Sequence, residues 1–283
     1  MGEAPAGYRH QRYAASLAAF GKPLALRASG GWVLRRPVAD TGWHDAMGVY
    51  PLCVLQDWTK LAADLTEPDS DCVSLTMVTD PFGDYDPALL HRCFPDVMIP
   101  FKNHYVVDLQ RAPRTFISAH HRRNARKALA TLTVDVSTAP LQHLDDWVAL
   151  YGVLTVRHAI QGIQAFSPAA FAEQLQVPGI VVVRALAGSD VVGMHLWYRD
   201  NGIGYYHLGA CTEAGYRLGA AFALFSTAID HFADTLRWLS LGAGAGLSAD
   251  QEDGLSRFKG GWATGTRTAY FGGRILDKGR YAS

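Results

Sequence analysis

The stretch VPGIVVVRALAGSDVVGMHLWYRDNGIGYYHLGA, residues 177–210, limits what this chain can fold into more than any other. Its three runs of β-branched and aromatic residues are separated by Gly188-Ser189-Asp190 and Asp200-Asn201-Gly202, the residues that close tight hairpins. The segment therefore reads as a three-strand antiparallel meander. A helical pattern follows over residues 216–234, YRLGAAFALFSTAIDHFAD, and then a strand, LRWLSLG. Most α/β proteins alternate strand and helix singly, so a meander feeding one long helix and another strand is a narrow specification.

The upstream half is mixed α/β. Strands are expected at Trp32 to Leu34, Val73 to Val78, Val97 to Phe101 and Tyr105 to Leu109, and helices near Arg12 to Phe20, Asp57 to Leu65 and Pro87 to Cys93. Residues 114–131 read as one helix, followed by a strand (Leu132 to Val136), an amphipathic helix carrying Leu144, Val148, Tyr151, Leu154 and His158, and a short helix at 168–175. With 283 residues, 49% of them hydrophobic, the chain has material for a large core and for two domains.

Lysine and arginine total 26, as do aspartate and glutamate, so no global field draws the protein to nucleic acid. Such a partner has to be met by a local patch, and the 114–131 helix supplies one. It holds Arg114, Arg122, Arg123, Arg126 and Lys127, with His120 and His121 beside them. The spacing places Arg122, Arg123, Arg126 and Lys127 on one broad face, which can grip phosphates through charge-assisted bonds or simply remain a solvated surface. DNA is not an expected partner.

Other candidate groups are scattered. Asp108 ends the run HYVVDL and is either a general base or a turn cap. His195 and His207 fall in neighbouring strands, as bases or as satisfied core groups. His104, His120, His121 and His158 have no metal-ligand spacing, and no metal is expected. Gly242, Gly244 and Gly246 in LGAGAGLS match no phosphate-loop pattern and point to unusual φ values beside an open groove. The four cysteines, Cys53, Cys72, Cys93 and Cys211, are too dispersed for a zinc or redox motif and read as reduced thiols. The N-terminus MGEAPAGYRHQRY lacks a secretory pattern, and no apolar run approaches the ~20 residues of a membrane span, so a cytoplasmic location is expected.

The most unusual stretch is GLSRFKGGWATGTRTAYFGGRI, residues 254–275, in which Lys259 stands between Phe258 and a glycine pair, with Trp262 beyond. Desolvation by such neighbours would lower the pKa of the lysine and admit a role as base. Taken with YVVDL (105–109), HHRRNARKAL (120–129) and the meander ending in YYHLGA with its helix, this stretch resembles the Fem-type aminoacyltransferases, which are built from two GNAT-like cores. The resemblance covers roughly the last 180 residues.

It implies an α+β fold of two GNAT-like (acyl-CoA N-acyltransferase) cores packed side by side, with the C-terminal strand returning to the first. The halves would be residues 1–112, completed by 264–283, and residues 113–263. It implies that Lys259 handles the donor ester and the acceptor, with Asp108 or His207 receiving the amine proton. Arg122, Arg123, Arg126, Lys127, Phe258, Trp262, Tyr205 and Arg217 become candidate substrate or phosphate contacts. Acyl-CoA-dependent members carry [QR]-x-x-G-x-[GA] before the long helix; here Arg217 is followed by Leu218-Gly219-Ala220, with the glycine one position early. The expected reaction is therefore transfer of an aminoacyl group from aminoacyl-tRNA onto an amine of a small-molecule or cell-envelope acceptor, with no tightly bound cofactor. Acyl-CoA-dependent N-acetyl transfer and a non-catalytic GNAT-like binding module are the alternatives. The short first half, without the long coiled-coil insertion of some cell-wall members, leaves the acceptor open.

Overall fold

The computed structural model describes residues 4–66, 71–137, 139–244 and 254–282. The chain divides into two compact units, one of residues 8–102 and 268–283, the other of residues 1–7 and 103–267. The class is mixed α/β.

In the first of these units the chain runs α1 (Gln11–Ser16), β1 (Lys22–Leu26), β2 (Gly31–Pro37), β3 (His44–Gly48), α2 (Leu61–Thr66), β4 (Cys72–Val78), α3 (Pro87–Cys93) and the start of β5 (Val97–Asp108). Strands β1 to β3 form antiparallel neighbours, β3 lies parallel to β4, and Phe271 to Ile275 of the last strand pair antiparallel with Val78 to Ser74 of β4. The C-terminal strand thus returns to the first half of the chain. Its core is built by Leu26, Val33, Leu61, Leu75, Met77, Leu90 and Phe94 around Trp58. The two strands expected at 97–101 and 105–109 are one continuous strand, β5: Pro100 lacks an N–H but does not interrupt the extended chain.

The second unit continues with α4 (Pro113–Phe116), α5 (Ala119–Leu129), β6 (Thr133–Ser137), α6 (Leu144–His158), α7 (Pro168–Gln174), β7 (Ile180–Ala187), β8 (Asp190–Asp200), β9 (Ile203–Cys211), α8 (Glu213–Leu218), α9 (Ala220–Phe232), β10 (Trp238–Ser240), α10 (Gly254–Gly260) and β11 (Gly265–Ile275), before α11 (Lys278–Tyr281) closes the chain in the other unit. The meander is β7, β8 and β9. Asn201 and Gly202 both take positive φ in its second turn, as a tight hairpin of this type demands. Seven consecutive residues of β8 are buried, so both faces of the meander are covered and polar–apolar alternation is lost. Helix α9 fills one face through Leu224, Phe225, Ile229 and Phe232; its small residues allow close approach, with Ala220 near Gly193.

Two expected helices are each two helices. The 114–131 segment breaks before Ser118, whose hydroxyl accepts the His121 N–H and so begins α5 anew. The 216–234 segment breaks at Gly219, which adopts φ +73° and both ends α8 and starts α9. All four cysteines are buried free thiols. Among the described residues no helix is long and apolar enough to cross a membrane.

Candidate active site

Strand β10 joins β9 in parallel over only three residue pairs, Trp238–Ile203, Leu239–Gly204 and Ser240–Tyr205. Past that point β9 keeps its pairing with β8, while the chain after β10 stays with β5, to which β10 is already paired antiparallel: Leu241 N–H donates to Tyr105 O and Tyr105 N–H to Gly242 O. The two strands fork. Lys259 of α10 reaches this fork: Nζ donates to Ala243 O at 2.6 Å and stands 5.6 Å from the centre of the Tyr206 ring. The residue is 5% exposed. Burying a charged amine is costly unless its donors are satisfied, and here a carbonyl and an aromatic face do so. Gly242 is favoured by its φ of +76°, and a Cβ there would come within 3.1 Å of Nζ. Gly246 of the same glycine run lies outside the described residues.

Helix α10 is held from behind by the start of α5. Ser118 N–H donates to Gly261 O at 2.9 Å, and His121 Nε2 lies 2.9 Å from Phe258 O. Since a carbonyl only accepts, Nε2 carries the proton and Nδ1 presents its lone pair to the Ser118 hydroxyl, 2.7 Å away. Burial pushes the His121 pKa down, against a smaller upward pull from the Phe258 carbonyl, so the ring is neutral. Its ring packs against Phe222, Phe258 and Trp262 at 5.2, 5.4 and 5.1 Å. Trp262 is fully buried and stacks on Phe225 at 5.9 Å and 19°. Phe258 and Trp262, expected as substrate contacts, pack instead on His121, Phe222 and Phe225 behind α10.

The basic helix divides its cations between two rows. Arg122 and Arg126 line a groove of about 460 Å3 with Arg114, Leu129, Ser226 and Asp230. Arg122 is committed there, since Nη1 donates to Ile117 O and to Arg114 O, tying α4 to α5. Arg123 and Lys127 stand exposed on the other row, with Arg123 3.5 Å from His120 and Asn124 2.8 Å from it. The broad face expected for these four residues thus consists of two adjacent rows, one of them partly structural.

Asp108 and His207 are corrected more sharply. Asp108 Oδ1 accepts the Gln110 N–H at 3.0 Å and Oδ2 accepts from Arg237 at 3.1 Å, so its carboxylate closes a turn and holds an ion pair. His207 is 7% exposed, 3.2 Å from Gln174 Oε1, with Tyr198 and Phe166 at its sides, and burial pushes its pKa to about 3. A base so weak gains little from a substrate proton at neutral pH. Tyr205, on the same face of β9, is 2% exposed and packs in the interior. Arg217 lies exposed in the last turn of α8. His195 takes the core reading: it is 2% exposed, ringed by Tyr206 and Phe225, and likewise pushed to about 3.

The sequence reading missed Ala243 and Gly242 as the seat of the lysine amine, and Ser118 and His121 as the grip on its helix. Gly261 held a signal for the last of these, because a Cβ there would stand 2.0 Å from His121 Cε1. Among the described residues no three His, Cys, Asp or Glu side chains gather as a metal site.

The meander, the broken helix over it and the forked parallel pair are the frame in which the family match falls, and that match makes the protein an acyltransferase of the GNAT type. Residues 117–259, just over half of the chain, match the family described as "Acetyltransferase (GNAT) domain", and the chain belongs to that family. No curated protein matches the sequence. Among solved structures the fold is similar to FemX, at 12% identity over 98% of this chain and 94% of that one, with a TM-score of 0.71. It is also similar to the C-terminal domain of a putative lysylphosphatidylglycerol synthetase from Agrobacterium fabrum, at 15% identity over 97% and 90% with a TM-score of 0.62. L-PGS from Bacillus licheniformis gives 14%, 98% and 95%, and a TM-score of 0.62.

Proposed function

We propose that this protein transfers an aminoacyl group from aminoacyl-tRNA to an amine of a small-molecule or cell-envelope acceptor. The observation that carries the donor is a charge imbalance. From Leu109 to Val134 there is no Asp or Glu, yet the segment holds Arg111, Arg114, Arg122, Arg123, Arg126 and Lys127. Among the described residues no acidic side chain forms an ion pair with any of the six. In a chain of zero formal net charge, a cluster of six cations with no ion-pair partner among the described residues, and Asp230 alone as an acid in its groove, is suited to phosphates.

Lys259 is the group we assign to chemistry. Attack of an amine on the acyl ester forms a C–N bond, breaks the ester C–O bond and delivers the proton lost by the amine to the leaving tRNA oxygen, released as a hydroxyl; the tetrahedral intermediate carries an oxyanion. A lysine ammonium already oriented by Ala243 O and the Tyr206 ring would stabilise that charge without reorganising. The name of one fold neighbour, lysylphosphatidylglycerol synthetase, joins an amino acid to a lipid and so supports an envelope acceptor.

Acyl-CoA is the second reading, favoured by the family description as an acetyltransferase domain. Against it, Thr212 Oγ1 already takes the Gly215 N–H at the start of α8, and Glu213 places a carboxylate in that first turn. Both oppose a pyrophosphate there. A radiolabelled assay of aminoacyl-tRNA against acetyl-CoA, with pooled amines as acceptors, separates the two. Label transferred only from acetyl-CoA would overturn the tRNA reading.

A further inference from the structure

A helix of seven residues leaves several C-terminal carbonyls without intrahelical donors, and α10 has this difficulty at its functional end. The chain itself covers three of them. Gly261 N–H donates to Arg257 O at 3.3 Å, Trp262 N–H to Lys259 O at 3.0 Å, and Ala263 N–H to Gly260 O at 3.3 Å. The Phe258 carbonyl belongs to the peptide that leads into Lys259, and its recorded donor is His121 Nε2. Nor is the imidazole at liberty to turn. The Ser118 hydroxyl fixes Nδ1, three aromatic rings enclose the sides, and Gly261 lies so close that any Cβ would collide with the ring.

We propose that His121 is the positioning residue for Lys259, a role that rests on the assignment of Lys259 to the transfer reaction. His121 moves no proton and meets no substrate. Its ring N–H fixes the Phe258–Lys259 peptide, and with it the starting direction of the lysine side chain toward Ala243 O and Tyr206. The geometry also links two parts of the proposed reaction. Ser118 and His121 open the helix that carries Arg122, Arg123, Arg126 and Lys127, so the element that would receive donor phosphates also grips the peptide that carries the amine. A displacement of order 1 Å at a reacting group costs about 100-fold in rate, which sets the scale of the effect.

The test uses the full chain in three variants. His121→Phe keeps the aromatic packing and removes the N–H; His121→Gln keeps a side-chain N–H directed at Phe258 O; Lys259→Met is the control. For each, kcat and KM are measured with aminoacyl-tRNA and pooled amines, together with hydrogen exchange of residues 254–263. We expect His121→Phe to lower kcat by about 100-fold, to leave donor KM unchanged, and to speed exchange in 254–263. His121→Gln should recover most of both. A merely structural role would lower stability without the kcat-only loss or the rescue. Wild-type kcat in His121→Phe alongside an inactive Lys259→Met overturns the positioning role and leaves the function standing, as does a Gln variant no better than Phe. A fully active Lys259→Met instead sinks the functional assignment and the positioning role with it. If His121→Phe does not fold, Ser118→Ala takes its place: slower turnover and faster exchange support the proposal, and unchanged values of both overturn it.

Discussion

Strand β9 shows one side chain to each face in turn, and its two faces treat a cation-capable group in opposite ways. Tyr206 looks toward α9 and the lysine; His207, the next residue, looks toward Gln174 of α7. The lysine amine has a backbone carbonyl and an aromatic face, and stands where two strands part. The imidazole has an amide oxygen and two aromatic neighbours, and burial keeps it neutral. Two buried basic residues thus differ in what surrounds them far more than in type. Polar identity alone does not make a catalytic group; its partners decide.

Acid gives the largest expected effect, with one buried imidazole on each side of the meander. His195 and His207 have folded pKa values near 3 against an ordinary 6.5, so the unfolded chain takes up their protons first and stability falls as pH drops below that ordinary value. At about 1.4 kcal/mol per pH unit for each group, the pair removes roughly 5 kcal/mol by pH ~4.5. Urea melts across this range should show the loss, and His207→Leu should reduce its slope by about half. Between pH 6 and 8 turnover should show no His207 titration; an inflection there that vanishes in His207→Leu would break the contrast.

Next comes the packing behind α10. Trp262 is 0% exposed and stacked on Phe225, so Trp262→Ala should cost about 3–5 kcal/mol in a denaturant melt. A smaller loss, about 1–3 kcal/mol, is expected for Gly261→Ala, whose new Cβ has to displace His121. That variant should lose turnover beyond what its lowered stability explains. The least stability change belongs to Arg126→Glu on the groove rim, within about 0.5 kcal/mol. Its signature is in binding: weaker donor affinity and a change of about 1 or more in the slope of log affinity against log salt. Unchanged affinity would remove Arg126 from the phosphate site.

Much of this was legible in the sequence because it depends on local pattern. The meander followed from Gly188 and Asn201-Gly202 between β-rich runs, and Lys259 stood out among glycines and aromatics. The return of the last strand to β4 came from the family resemblance instead. What escaped depends on partners distant in the chain. Asp108 reads as a base until Arg237 is seen across from it, and His121 reads as one more basic residue until it meets Phe258. The breaks at Ser118 and Gly219 were hidden for another reason: serine and glycine are tolerated inside helices, and only the capping bond or the positive φ shows that they end one.

The amine at the fork, and not the neutral imidazole of His207, is the group proposed to perform the transfer. Turnover of Lys259→Met and His207→Leu should be compared with aminoacyl-tRNA and pooled amines, at pH 7 and well below each melting temperature. The account predicts loss of at least about 100-fold in Lys259→Met with donor binding retained, and turnover within about 3-fold of wild type in His207→Leu. Full activity in Lys259→Met, or loss of turnover in a folded His207→Leu, would contradict it.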